Sequence, residues 1–293
     1  WQIDEVMPHA VEVYTEMGAQ LGATMVQETP LLDFFPAPQM RLSFLDEAGK
    51  QHPYLQLPEN EHAFHEWVND PFGYGLVSPC YTVNLPLLTS LWRKRLQEQE
   101  RLIETRINVS SKNALHDFLY EHGITAEKII FCDGAAAAAG NWFGVLPFAP
   151  NKGESLLVHV PELPQQYIYK RSFSLSPAGN GLFRWGASYV WRAEDAEPTK
   201  AFREQAEAQL RQFLKLPFTV EGHFAGIRPA TVERRPFAGM HPRYPEFGLL
   251  NGMGSKGASL APFMARQFCT ALCGGEPVQP EAGLERFKNI LMR

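Results

Sequence analysis

Apolar residues recur every three or four positions in four stretches of this chain, the spacing typical of an amphipathic helix. Asn84 is a candidate N-cap for the second stretch, and Pro198 with Thr199 provides a start signal for the third. The fourth stretch follows Gly257. The predicted buried faces of the first three are Met7, Ala10, Val11, Tyr14, Met17 and Leu21; Leu88, Leu91, Trp92 and Leu96; and Phe202, Ala206, Leu210, Phe213 and Leu214.

Other stretches carry patterns typical of β-strands. The short apolar run KIIFC, within 128–142, predicts a buried parallel strand that leads into Asp-Gly and a series of small residues. Between about 145 and 195, ESLLVHV, QYIYKRSFSLS and GLFRWGASYVW are separated by Pro and Gly-Asn-Gly turns, which predicts an antiparallel sheet. Within 30–58, MRLSFLDE is strand-like, whereas 59–72 predicts a short surface helix. The order predicts an α/β chain with an α+β insertion, arranged as two interleaved domains.

Composition and charge exclude several classes of protein. The net charge of −5 and the pI near 6.0 give no electrostatic reason to expect a nucleic-acid partner or an anionic membrane surface. No apolar run is long enough to span a bilayer. Four cysteines make no disulfide framework, and Cys269 with Cys273, one helical turn apart, are predicted to be buried thiols. We therefore expect a cytoplasmic protein.

A G-x-G-x-x-G pattern occurs at Gly252, Gly254 and Gly257. A dinucleotide fingerprint needs a strand, this turn, a helix, and then a second strand that ends in an acid roughly 20 residues on. Here the helix is followed by Gly274-Gly275 and a short tail, so that context is missing. Two interpretations stay open: backbone N–H groups that bind an anionic ligand at a helix N-terminus, or glycines required by the backbone dihedrals alone.

Arg228 is a second candidate, because it lies between Gly226 and Pro229 in a proline-stiffened segment that leads towards the glycine turn. A guanidinium fixed in this way suits bidentate binding of a carboxylate. The alternative is a structural salt bridge to a glutamate, and we keep that interpretation for Arg234 and Arg235.

Other chemistries find little support. His62 and His65 have helical spacing but no further ligand spacing, so no metal site is predicted. Neither G-x-S-x-G nor a Walker motif is present, which argues against hydrolase and kinase chemistry.

Four segments, taken in order, resemble the FAD-dependent amine and amino-acid oxidoreductases of the D-amino acid oxidase, glycine oxidase and sarcosine oxidase superfamily. They are KIIFCDGAAAA, LPFAPNKGESLLV, GIRPATVERRPFAGMHP and GLLNGMGSKGASLAPFMA. Each is weak by itself, but their order and spacing agree over essentially the whole chain. The resemblance implies a Rossmann-like FAD/NAD(P)-binding domain at 1–24, 73–145 and 224–293. It also implies a substrate-binding domain, built on a largely antiparallel sheet, at 25–72 and 146–223.

The resemblance also implies roles for individual residues. It places the glycine turn at the pyrimidine edge of the flavin rather than at the ADP, where the turn amides and the Lys256 ammonium would stabilise negative charge on reduction. Arg228 would bind the substrate carboxylate, and with Lys256 it forms the implied catalytic pair. Tyr189 would line the substrate pocket. The implied cofactor-binding residues are Gly134, Ala135, Gly252, Gly254, Ser255, Lys256 and Gly257.

The sequence departs from the family pattern in one respect. In the family, a βαβ unit precedes the part that this chain resembles, and the chain starts at Trp1 without it. We therefore expect that a preceding segment is missing and that FAD binds weakly without that segment. No cysteine lies between 133 and 268, so FAD is expected to be held non-covalently.

The implied reaction is oxidation of the C–N bond of a small amino acid or secondary amine, with hydride transfer to flavin N5, hydrolysis of the imine and oxygen as acceptor. The expected partner is therefore a small molecule, with no nucleic acid or membrane. Two alternatives stay open. One is a flavoprotein that acts on a modified tRNA nucleoside, which the acidic charge disfavours; the other is a non-catalytic binding module that lacks FAD.

Overall fold

The chain forms two compact units, each assembled from separate segments, in a computed structural model that describes residues 3–191 and 195–293. The first unit comprises Trp1–Met25, Leu85–Asn151 and Ile227–Arg293. The second comprises Val26–Asn84 and Lys152–Gly226. The two units are interleaved along the chain, and the segment 73–84, which the sequence analysis assigned to the FAD-binding domain, falls in the second unit because its two strands pair there.

The helices and the strands are each numbered in chain order. The helices are α1 (Ile3–Leu21), α2 (Pro38–Gly49), α3 (Leu85–Glu98), α4 (Lys112–Glu121), α5 (Lys200–Phe213), α6 (Gly257–Leu272) and α7 (Lys288–Leu291). The strands are β1 (Val26–Glu28), β2 (Leu31–Phe34), β3 (Leu55–Gln56), β4 (Tyr74–Val77), β5 (Tyr81–Val83), β6 (Ile129–Phe131), β7 (Asn151–His159), β8 (Ile168–Lys170), β9 (Ser174–Gly179), β10 (Leu182–Gly186), β11 (Val190–Trp191), β12 (Thr219–Arg228), β13 (Phe237–Met240) and β14 (Phe247–Asn251).

The predicted helices form where the apolar spacing indicated. Helix α5 begins after Thr199, whose hydroxyl accepts the Phe202 N–H at 3.3 Å, and its whole predicted face is buried. Helix α1 is tied to α6 by the Tyr14 hydroxyl, which donates to the Ala258 carbonyl at 2.8 Å. Of the helices within the described ranges 3–191 and 195–293, none combines the length and apolar character needed to cross a bilayer.

The second unit is built on a nine-stranded sheet. Its strand order is β11-β7-β10-β9-β8-β2-β4-β3, and β12 pairs with β7. Most of the strand pairings in the described residues are antiparallel, as predicted for 145–195, whereas β2 and β8 run parallel. Helix α5 packs against this sheet: the fully buried Trp185 donates its indole N–H to the Ala206 carbonyl at 3.0 Å. The mixed α/β fold class is therefore as predicted.

The first unit contains the sheet that positions the candidate site. Its strand order is β13-β14-β6, in which β14 pairs with β6 in parallel and with β13 antiparallel. Phe131 and Leu249 lie opposite each other on the parallel pair, and both are buried in the core of this unit. The carboxyl ends of β6 and β14 consequently lie side by side, where ligands of α/β sheets commonly bind.

The strand predicted for MRLSFLDE is wrong, because this segment belongs to helix α2. A strand would have placed Met40, Leu42 and Phe44 on one buried face, but Met40 and Leu42 are 54% and 63% exposed. Phe44 alone of the three is buried, with its ring where a Cβ on Gly75 would lie only 2.2 Å away. Pro38 in the first turn favours the helix.

Two other local predictions are also wrong. The segment 59–72 forms successive turns rather than a helix, and it buries Phe64 and Val68 in the second unit's core. Cys269 and Cys273 are exposed. Helix α6 instead buries the face formed by Leu260, Phe263, Met264 and Phe268.

His241, which follows β13, should make the stability of the first unit depend on pH. It is 3% exposed, and its Nδ1 accepts the N–H groups of Arg243 and Tyr244 at 3.1 and 3.3 Å. Burial lowers the pKa of His241 below its usual 6.5. The unfolded chain therefore takes up this proton at a higher pH than the folded chain, so stability present at neutral pH is lost as the pH falls below about 6.5.

We expect the free energy of unfolding, measured in urea, to decrease between about pH 8 and pH 5. His241→Asn should flatten this dependence, because the amide oxygen can accept the same N–H groups without taking up a proton. An identical slope in the variant would show that His241 is not the group responsible.

Candidate active site

The two predicted cofactor segments are joined by Asn251. Its Nδ2 donates to the Gly134 carbonyl at 2.9 Å and to Asp133 Oδ1 at 3.2 Å, and its Oδ1 accepts the Gly252 N–H at 2.8 Å. Asn251 is only 4% exposed, so these bonds satisfy a buried amide. Sequence reasoning missed this residue, although a polar side chain that ends the apolar run FGLL directly before a glycine turn was a usable signal.

The three glycines of the turn differ in whether the backbone requires a glycine at that position. Gly252 and Gly254 have φ values of +79° and +55°, in the region that favours glycine. At Gly252 a Cβ would also lie 2.8 Å from Thr231 Cγ2. Gly257 begins α6 with φ −55°, and a Cβ there would have no heavy atom within 4 Å. The backbone therefore explains the first two glycines but does not explain Gly257.

The space beside the turn suits a ligand. Gly134 has φ +61°, and a Cβ there would also meet no atom within 4 Å, so both joined segments have open space beside their glycines. Ser255 and Lys256 are exposed at the amino end of the 16-residue helix α6. Helix N-termini attract negative charge, so the donors of this turn fit a group that becomes anionic.

Lys256 occupies the N-cap position of α6, which is electrostatically unfavourable for a cation. Ser, Thr, Asp and Asn are the residues usually preferred there. An anionic group bound at the turn would offset this repulsion by contacting the ammonium and the helix end together.

Arg228 ends β12, next to the segment that contacts the glycine turn. Its Nη1 donates to Asn151 Oδ1 at 2.9 Å, and Asn151 is 3% exposed, so a buried amide orients the half-buried guanidinium. The following residue, Pro229, accepts the Gly254 N–H through its carbonyl at 3.2 Å. The structure thus brings the arginine segment and the glycine turn together. Arg234 and Arg235 are exposed.

Partial burial changes the acidity of two groups after β6. It raises the pKa of Asp133, an effect that the hydrogen bond from Asn251 opposes. Burial, followed by the negative charge of Asp133, raises the pKa of the Cys132 thiol above its usual 9.0. Cys132 therefore stays protonated at neutral pH and is not an activated nucleophile.

The structure locates the other predicted site residues but does not test their roles. Ala135 lies in the short 3₁₀ turn Gly134–Ala139, adjacent to the carbonyl that Asn251 binds. Tyr189 belongs to the second unit, between β10 and β11, and is 58% exposed. Their contributions to cofactor and substrate binding stay predictions, as does that of Ser255.

The structure removes the argument against a metal site at His62 and His65. That argument rested on the lack of a further ligand, but Asp70 lies beside both histidines. One ligand atom from each of the three side chains lies within 4.8 Å of the others. The third group, Asp70, follows His65 by five positions, a spacing that matches no metal-binding sequence motif.

Comparison with known proteins decides the family. The family model described as "FAD dependent oxidoreductase" (DAO) matches residues 6–270. The chain belongs to the FAD-dependent oxidoreductase family. The glycine oxidase of Pseudomonas putida is 29% identical over 166 residues, covering 53% of this chain and 45% of that protein. The glycine oxidase of Pseudomonas aeruginosa is 27% identical over 158 residues, covering 50% and 43%. The matches thus span less than half the length of these curated relatives.

Solved structures of the DAO family's fold extend the likeness over nearly the whole chain. Glycine oxidase from Geobacillus kaustophilus superposes with a TM-score of 0.72 at 16% identity, covering 92% of this chain and 78% of that one. Iminodiacetate oxidase from Chelativorans sp. BNC1 gives 0.72 at 20% identity, covering 97% and 82%. L-proline dehydrogenase from P. horikoshii gives 0.71 at 15% identity, covering 97% and 83%. The predicted superfamily is confirmed, and these structures show the fold.

Proposed function

We propose that this chain holds the reactive ring of FAD non-covalently and binds the substrate of an enzyme that oxidises the C–N bond of a small amino acid or secondary amine. The observation that carries the proposal is Asn251, which fixes the ends of β6 and β14 together beside open space. The names of the similar proteins support the proposed substrate class, because glycine, iminodiacetate and proline each combine an amine with a carboxylate.

Each residue contributes a specific interaction in this proposal. FAD, when bound, supplies the two-electron acceptor, with dioxygen as the proposed final oxidant. The amides near Gly257 and the Lys256 ammonium would hold the ring and stabilise negative charge on it. Arg228, oriented by Asn151, binds the substrate carboxylate and thereby places the α-carbon. In the proposed reaction the substrate gives up a hydride from its α-carbon and a proton from its nitrogen, and water hydrolyses the resulting imine to a carbonyl compound and a free amine or ammonia. Dioxygen takes the two electrons and becomes hydrogen peroxide.

The open space at Gly257 gives a direct test of cofactor binding. Gly257→Leu should fold normally, because the backbone there is helical and a Cβ meets no neighbouring atom. The added side chain should occupy the space of the ring and weaken FAD binding at least about tenfold, a loss of about 1.4 kcal/mol. The measurement is flavin absorbance of the purified protein, expressed from its complete reading frame, titrated with FAD.

The matched control is Gly49→Leu, at the end of α2, where a Cβ also meets no atom within 4 Å. Without FAD, both variants should unfold at the temperature of the FAD-free parent protein, and only Gly257→Leu should bind FAD more weakly. A Gly257→Leu protein with parental FAD affinity would remove the turn from the proposed ring site.

The same preparation distinguishes the two alternatives. A colourless protein that takes up no FAD would support a non-catalytic module. Tight RNA binding that weakens steeply with salt would support an enzyme that acts on tRNA.

All four cysteines are free, which supports the cytoplasmic location that we propose for the protein.

A further inference from the structure

Two histidines and an aspartate converge in the second unit, on residues that the proposed FAD site does not use. His62 Nδ1 lies 3.3 Å from Asp70 Oδ2, and His65 Nδ1 lies 2.6 Å from Asp70 Oδ1. We propose that His62, His65 and Asp70 form a binding site for one divalent transition-metal cation, with Zn²⁺ as the favoured ion. Two imidazole nitrogens and one carboxylate are a donor set typical of zinc.

The distances require little rearrangement. Zinc binds histidine nitrogen at about 2.0–2.1 Å and carboxylate oxygen at about 2.0–2.2 Å, so tetrahedral ligand atoms lie about 3.3–3.5 Å apart. The separation between His62 and Asp70 already meets this value. The shorter contact of His65 is a hydrogen bond that must open by less than about 1 Å, which rotation of an exposed imidazole can provide.

The burial of Asp70 favours a cation at this position. Its side chain has 0% exposure, whereas those of His62 and His65 are 57% and 65% exposed. A buried carboxylate is costly unless it is paired and hydrogen-bonded. A neutral imidazole donates a hydrogen bond but no charge, whereas a divalent cation supplies both a ligand bond and the compensating charge.

The turn that carries the ligands is fixed before any metal binds. Between His62 and Asp70, the chain buries Phe64 and Val68 in the core of the second unit. The Asn69 N–H also donates to the Phe213 carbonyl at 2.8 Å, which holds the turn against the end of α5. Because the ligands are held in place by the core, binding a metal costs little ordering entropy.

This arrangement assigns the metal a stabilising role. The three protein ligands leave one tetrahedral position for water, on the side where the histidines are exposed. A cation that binds only the folded chain stabilises it by mass action. We therefore expect Zn²⁺ to raise the unfolding temperature of the second unit in a concentration-dependent way.

The test uses the whole protein, stripped with a chelator and then titrated with Zn²⁺ by isothermal calorimetry. The expected result is one ion per chain, confirmed by metal analysis, with a higher unfolding temperature. His62→Gln and His65→Gln should each weaken binding by at least about tenfold, since even outer-sphere partners of a metal contribute 10- to 100-fold. Co²⁺ in place of Zn²⁺ should give ligand-field bands that both substitutions abolish.

His52→Gln is the matched control, because His52 is an exposed histidine of the same unit outside the cluster. It should bind Zn²⁺ as the parent does. Both ligand histidines are mostly exposed, so their variants should fold, and the unfolding temperature without metal verifies this. No saturable binding, or equal affinity in the parent and both ligand variants, would overturn the proposal and leave a hydrogen-bonded cluster only.

Discussion

Arg228→Ala is expected to raise KM for a carboxylate substrate at least about 100-fold in the protein with FAD bound. A guanidinium makes two hydrogen bonds to a carboxylate, each contributing about 1.5–3 kcal/mol because both groups are charged. Losing both therefore costs about 3 kcal/mol or more, and each 1.4 kcal/mol corresponds to a factor of ten. Steady-state kinetics with glycine and with an amine that lacks the carboxylate is the measurement, and the second substrate should be unaffected.

Two further variants make this experiment specific. Arg228→Lys keeps the charge but not the planar fork, so it should also bind the carboxylate poorly. Arg235→Ala removes an exposed arginine of the same segment and should leave KM unchanged. If the FAD-loaded Arg228→Ala variant has the same KM as the parent protein, Arg228 is not part of the substrate site.

Asn251→Leu is expected to lower the free energy of unfolding of the first unit by about 2–4 kcal/mol. The substitution leaves the buried Gly252 N–H and the partly buried Gly134 carbonyl without the partner they have now, and an unsatisfied buried group costs about 1–3 kcal/mol. The ends of β6 and β14 should also separate, so FAD binding should fall together with stability. Urea unfolding and flavin content measure the two effects.

Asn141→Leu is the control for this prediction. Asn141 is an exposed asparagine of the same unit, and its Nδ2 donates to the Ser110 carbonyl at 2.7 Å. Its replacement should cost about 1 kcal/mol or less and leave FAD binding intact. Equal losses in the two variants would contradict a special role for Asn251.

Local patterns in the sequence were enough to predict the elements that carry the candidate site. The apolar run before Asp133 predicted β6, and the spacing of apolar residues after Gly257 predicted α6, because both signals lie within one element. The order of four weak segments then indicated the superfamily. The roles of Arg228 and Lys256 stay predictions, since neither the fold nor the family match tests them.

The residues that sequence reasoning missed act through distant partners. Asn251 matters because it binds Asp133 and Gly134, which precede it by 118 and 117 positions. Asp70 follows His65 by only five positions, yet the turn that aligns them depends on the burial of Val68. Periodicity describes one element at a time and contains no information about such contacts.

The wrong predictions have a different physical origin. MRLSFLDE fits both a two-residue and a helical period over a short run, and tertiary packing on Gly75 decided between them. Cys269 and Cys273 lie on an apolar helix, but the core needed only one of its faces. In both cases the sequence showed that the segment is apolar, but it did not show which of its side chains face the core.

The long separation between β6 and β14 affects how the protein is made. At about 5–20 residues per second, a ribosome needs roughly 6–24 seconds to add the 118 residues between Asp133 and Asn251. Throughout that time β6 is present on the nascent chain without β14, the strand with which it pairs in the part of the chain that the structure describes. We expect this interval, during which the intervening second-unit segment emerges, to be the period in which chaperones protect the growing chain from aggregation.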